Sequence, residues 1–230
     1  MRRDAVVPRT FVCVMAAVAA ATCALSGCGP VRMGAAAITG GERLTTTTLS
    51  DQVTNLDRAY QAGKSSIQLQ FPQSQAPREV LSWLLRFRIR DELAVRNHVV
   101  VTPGESQRAL TALARSTGRG GLAFVRLAVA NGLAPDMLPE LGRYEAIQND
   151  LFIRLNGGTL PRTQAQVQAI AGEFSRRECV AAKSLNIQVN PQFGQLDYAT
   201  YTVIPAKSPL SAPSIPSPSP TAKPQLTPPC

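Results

Sequence analysis

Histidine is nearly absent from this 230-residue chain, and the one residue present is His98. That excludes any two-histidine metal site or zinc-binding helix by count. A Ser-His-Asp triad is set aside as well, since His98 falls at the end of an arginine-rich helix, where the helix dipole accounts for a basic residue. Aromatics make up only 5% of the chain, with a single tryptophan. No apolar run is long enough to span a bilayer comfortably; the longest, Phe11 to Leu25, falls short of the ~20 residues required. Glycine-rich words occur at 118–121 (GRGG) and 156–158 (NGG), but neither stands in the strand-loop-helix context of a phosphate site. The neighbouring carboxylates Asp91 and Glu92 point in different directions on a helix and make poor acid and base partners. No catalytic constellation remains, so the sequence points to no enzyme, no cofactor and no metal.

What is present at the N-terminus is more telling. Arg2, Arg3 and Arg9 precede the short apolar run, and "LSGC" (Leu25, Ser26, Gly27, Cys28) follows it. A basic start, a short apolar stretch and small residues make a signal peptide, residues 1–27. The final word resembles the lipobox of bacterial lipoproteins, which implies cleavage before Cys28 and lipidation of that cysteine with palmitate-type acyl chains. The resemblance also implies a membrane anchor on the extracytoplasmic, periplasmic-type face of the cell membrane, with residues 28–34 as a lipidated tether.

Cleavage would remove three arginines and one aspartate from the 24 basic and 15 acidic residues, leaving 21 against 14, a net +7. Outside the cytoplasm such an excess suits anionic headgroups or acidic wall polymers rather than nucleic acid. Only four of the basic residues are lysines, so coding bias is an equal explanation of the arginines. Cleavage would also leave only Cys179 and Cys230 as candidates for pairing. Two cysteines define no disulfide framework. Cys230 can reach Cys179 from a flexible tail, but a buried, unpaired Cys179 on a helix is the simpler state.

The rest of the chain reads as one domain, residues 35–204, mainly α with a small β-sheet. "AAAITGGERLT" gives a hairpin turning at Gly40 and Gly41, and Thr45 caps a helix carrying Leu49, Val53, Leu56 and Tyr60 on one face. "SIQLQF" is open between strand and loop. The segment from Pro77 to His98 predicts the central helix, with Val80, Leu81, Leu84, Leu85, Ile89 and Leu93 inward and Arg86, Arg90 and Arg96 on a solvated face. Thr102, Pro103 and Glu105 form a capping box before the next helix. Further helices follow at 122–131, stopped by Gly132, across 133–155 despite Pro139 near the start, and after Thr163. "NIQVN" is extended again up to Pro191. Residues 205–230, with nine of the 18 prolines, predict a disordered Pro-rich tail, either a spacer or a ligand for a proline-binding domain.

The order of "AAAITGGERLTTTTL", "NHVVVTPGE" and "IQVNPQFG" resembles the N-terminal module of the SurA and trigger-factor-like chaperone family. That resemblance implies a helical module closed by a late strand that returns to the first ones. It departs from many relatives in that residues 156–184 hold one loop and one helix, too few for a parvulin prolyl isomerase domain. By the same resemblance the chain is expected to be a SurA-like, membrane-anchored chaperone lipoprotein that binds unfolded or exported polypeptides without isomerase activity. A scaffold lipoprotein gripping one envelope partner is the alternative. The side chains left over to line a client-binding groove are Trp83, Phe87, Phe124, Met137, Tyr144 and Phe152, each of which could equally serve the core.

Overall fold

In the computed structural model of the chain, residues 34–118, 120–206 and 230 are described; the signal peptide, Cys28 and all of the Pro-rich tail but its two ends lie outside them. Strand β1 (Ala35–Thr39) and strand β2 (Glu42–Thr45) pair antiparallel, with Thr39 opposite Glu42 and Ala37 opposite Leu44. Gly40 and Gly41 turn the chain at φ 57° and 85°, the positive values that a two-residue hairpin needs at both positions. Ala35, Ala36 and Ala37 are fully buried, because β1 is the middle strand of three. Its second neighbour is β3 (Gln188–Val189), which returns antiparallel with Val189 opposite Ala37 and Gln188 opposite Ile38. Asn190 fastens the end of this pair, its backbone N–H donating to Ala36 O (2.9 Å) and its side-chain amide to Ala35 O (3.0 Å).

Six α-helices carry the core among the described residues, so the chain is mainly α with a small antiparallel sheet. Helix α1 (Thr46–Gly63) starts where Thr45 Oγ1 accepts from Thr48 N. The stretch 64–72 then runs as a loop, burying Ile67 and donating from Gln70 N to Ala130 O (2.9 Å), so "SIQLQF" finds no ladder partner. Helix α2 (Ala76–Arg96) is central and packs against α1, the sheet and the later helices through Val80, Leu81, Leu85, Ile89 and Leu93. It ends in a Schellman motif: His98 N donates to Val95 O, Val99 N to Ala94 O, and His98 takes φ 52°.

Helix α3 (Pro103–Ser116) opens on the reciprocal Thr102–Glu105 capping box. Helix α4 (Leu122–Ala130) stops at Gly132, φ 79°, where an added Cβ would sit 2.7 Å from Glu79 Cβ. Helix α5 (Leu138–Leu155) lies along α3, and the two approach so closely that a Cβ on Gly142 would meet Ser106 O at 2.6 Å. Helix α6 (Gln164–Ser184) begins with a second capping box, Thr163 with Gln166, and packs on α2 and α5.

Two features of the C-terminal part depart from the sequence reading. A second hairpin, β4 (Gln195–Asp197) with β5 (Thr202–Ile204), follows β3 and seats on α2. Val203 N donates to Ser82 Oγ (2.8 Å) and Arg86 Nε to Tyr201 O (3.2 Å). Cys179 is buried on α6 as expected, yet it is disulfide-bonded to Cys230, with Cα atoms 5.3 Å apart. The 23 residues between Ala206 and Cys230 could extend about 80 Å, so reach imposes no obstacle to this pairing. The described residues from Gly34 onward form one compact unit.

Candidate binding cleft

The six side chains proposed from sequence for a groove are divided between two apolar clusters. Phe87, Phe124 and Met137 are buried in the larger one, with Trp83 and Tyr144 packed partly buried against it. Phe87 bridges Trp83 and Tyr144, with ring centroids 5.9 and 6.0 Å away. Trp83 Nε1 donates to Asn131 O (2.9 Å), which ties α2 to the end of α4. Phe152 belongs to the second cluster, edge-on to Phe174 at 4.9 Å. These aromatics join helices to one another, and they do not line one open surface.

Arg90 corrects the sequence reading most sharply. Expected on a solvated face, it is 2% exposed at the junction of α2, α5 and α6. Its guanidinium pairs with Glu178 (2.9 Å), donates to Gln148 Oε1 (3.2 Å) and lies over the rings of Tyr144 (3.9 Å) and Phe174 (4.9 Å). A buried cation requires such partners, because an unpaired charge in the interior is strongly destabilising. Burial pushes the Glu178 and Glu145 carboxyls above the usual carboxylate range, against the pull of Arg90. It also raises the Tyr144 and Tyr201 hydroxyls above the ordinary tyrosine value. Arg86 and Arg96 fit the expectation better: Arg96 pairs with Glu92 at the surface, while Arg86 reaches the turn of the second hairpin.

An open apolar surface does occur, between α3 and α5. There a cleft of about 270 Å³ has Val101, Ala109, Ala112, Ala146 and Ile153 along its walls and Val100 at its mouth. Val100 is 84% exposed, the most exposed large apolar side chain among the described residues. The loop before α3 explains this: Val99 is the Schellman motif's apolar contact and turns inward, so its neighbour must face out. Glu105, Arg108, Asn149 and Asp150 form a polar rim. Glu105 is held below the usual carboxylate range by the backbone N–H of Thr102 and then its hydroxyl, and so stays an anion. A volume near the lower bound of small-molecule pockets, roughly 300 Å³, leaves room for one or two aliphatic side chains of a larger partner. A search of the sequence for large aromatic side chains misses these valines and alanines. The only sequence signal for them is the unbroken "VVV" before Thr102, which cannot bury every member of an extended run.

No group of three or more His, Cys, Asp or Glu side chains suited to a metal occurs among the described residues. His98 is exposed in its left-handed turn, and no described helix is long and apolar enough to cross a membrane. Comparison with protein-family models, with curated proteins and with solved structures returned no match to this chain.

Proposed function

We propose that this protein is a lipid-anchored, extracytoplasmic polypeptide-binding protein of the chaperone type, acting without isomerase activity. The observation that carries the reading is the exposed aliphatic cleft between α3 and α5, with Val100 at its mouth and charged residues around it. Such a surface gains affinity by covering apolar side chains, which needs no particular sequence in the partner. The Cys179–Cys230 disulfide supports the extracytoplasmic part, because structural disulfides persist in oxidising compartments.

The burial of Phe87, Phe124 and Met137 favours a second reading, a scaffold gripping one defined envelope partner. With the large and flexible side chains committed to the core, the remaining surface is small and rigid, which suits a single partner better than many. The discriminating experiment compares the wild-type chain with Val100→Glu and Ala112→Glu in suppressing aggregation of several unrelated unfolded proteins. Both positions are exposed, so both variants are expected to fold. The chaperone reading predicts suppression by the wild type and a severalfold loss in each variant. No suppression by the wild type, with a single partner crosslinked in intact cells, would establish the scaffold instead.

A further inference from the structure

We infer that the Cys179–Cys230 bond is a latch for the C-terminal strands, closed by thiol–disulfide exchange with an oxidising dithiol–disulfide protein that engages Cys230 first. The inference is independent of what the α3–α5 cleft binds, and rests on the extracytoplasmic part of the function proposed above. The bond encloses a ring of 51 residues' separation containing β3, β4 and β5. These are the weakest elements of the fold: β3 makes two ladder pairs, and β4 and β5 have three residues each. An isolated hairpin of that length has no independent stability in water. Yet β3 completes the first sheet, and the hairpin covers α2 at Ser82 and Arg86. Cys230 packs against that same core with its sulfur 3.7 Å from the Tyr201 hydroxyl, so the bond sets the sulfur of α6's partner against the turn of the hairpin.

The order of attack follows from access. With the bond closed, Cys179 is 6% exposed, Cys230 itself forming part of its cover, and it shares a face of α6 with the fully buried Ala182, so it is the less accessible of the two sulfurs to a protein-sized oxidant. Cys230 is partly exposed. The Cys230 thiolate therefore attacks one sulfur of the oxidant's disulfide, forming a mixed disulfide and releasing the oxidant's other sulfur as a thiolate. The Cys179 thiolate then attacks the Cys230 sulfur and displaces the oxidant. Two protons are lost from the pair of thiols, and two electrons leave with the oxidant, now a dithiol.

The test uses the full chain and oxidised glutathione as the probe. Protein isolated from the cell envelope without reductant should show no free thiol at either position by alkylation and mass spectrometry. After reduction, the folded wild type should be alkylated at Cys230 at least tenfold faster than at Cys179. Cys179→Ser should accumulate a glutathione adduct on Cys230, whereas folded Cys230→Ser should form none on Cys179. Reduction should lower the folding equilibrium constant by about a thousandfold, from the entropy of a ring of this size, and should speed amide exchange at Val203 most. Free thiols in the isolated protein, equal alkylation rates, or identical melting of reduced and oxidised wild type would each overturn the inference.

Discussion

His98 closes α2 in a conformation that favours glycine, at φ 52° in the C′ position of the Schellman motif. An L-residue with a Cβ pays a steric cost of roughly 1–2 kcal/mol there, offset in part because glycine leaves a looser unfolded chain. Among the described residues no hydrogen bond or ion pair of the imidazole repays that cost, and the side chain is exposed. His98→Gly is therefore expected to stabilise the protein by up to about 1 kcal/mol, a rise of about 2–4 °C in Tm for a domain of this size. A thermal melt showing a loss of stability would mean that the imidazole holds something beyond its backbone role. The residues most legible in the sequence were of this local kind. Thr45, Thr102, Thr163, Gly40, Gly41 and Gly132 each satisfy or turn the backbone within a few positions, so a short window contains all the physics they need. Arg90 was not legible, because its partners Glu178 and Gln148 lie far away in sequence and its own helix offers no sign of them. An arginine opposite an apolar stripe faces solvent only when nothing else packs there, and α5 and α6 do.

Among the elements, the pairing of β3 with β1 was readable from two facts together, the alternation in "NIQVN" and the resemblance to a module closed by a returning strand. The second hairpin was missed, although "DYATYTVI" carries its own turn signal. Asp197 accepts from Ala199 N (2.9 Å) and from the Thr200 hydroxyl (2.9 Å), an Asx-type turn that places Tyr201 at φ 51°. Both pairings make the C-terminal strands part of the core rather than an appendage. Val203 and Ile187 are buried in the same cluster as Leu81 and Leu85, and Gly40 N donates to Leu185 O at the turn of the first hairpin. A chain ending before Leu185 loses β3, the second hairpin and the disulfide together. It should leave Ala36, Ala37 and the Ser82 face of α2 uncovered and show no cooperative melting transition. A chain ending after Ser208 keeps all five strands but loses Cys230, with its packing on the core and the covalent ring, and should fold with a lowered Tm. Calorimetry on the two truncations checks this, and equal melting of both would remove β3 from the core.

For the whole molecule, a lipid on Cys28 would make the N-terminal end of β1 set how far the domain can stand from a membrane. Gly34 is six residues past Cys28 in sequence, and six residues fully extended cover about 20 Å. If Cys28 carries lipid, the three-stranded sheet lies no farther than that from the bilayer, about two and a half Debye lengths at physiological salt. The net +7 of the cleaved chain would then act close to the anionic headgroups, strengthening the attachment at low ionic strength. Two or three acyl chains hold a protein stably, whereas one chain alone binds only marginally. Changing Cys28 to serine should therefore move the protein from the membrane fraction to the soluble one, or leave an uncleaved precursor. High salt should release little of the wild type, since acyl burial does not depend on charge. Fractionation and mass spectrometry of the mature N-terminus check both points. An unmodified Cys28, or cleavage elsewhere, would separate the domain from the membrane and leave the α3–α5 cleft to act in free solution.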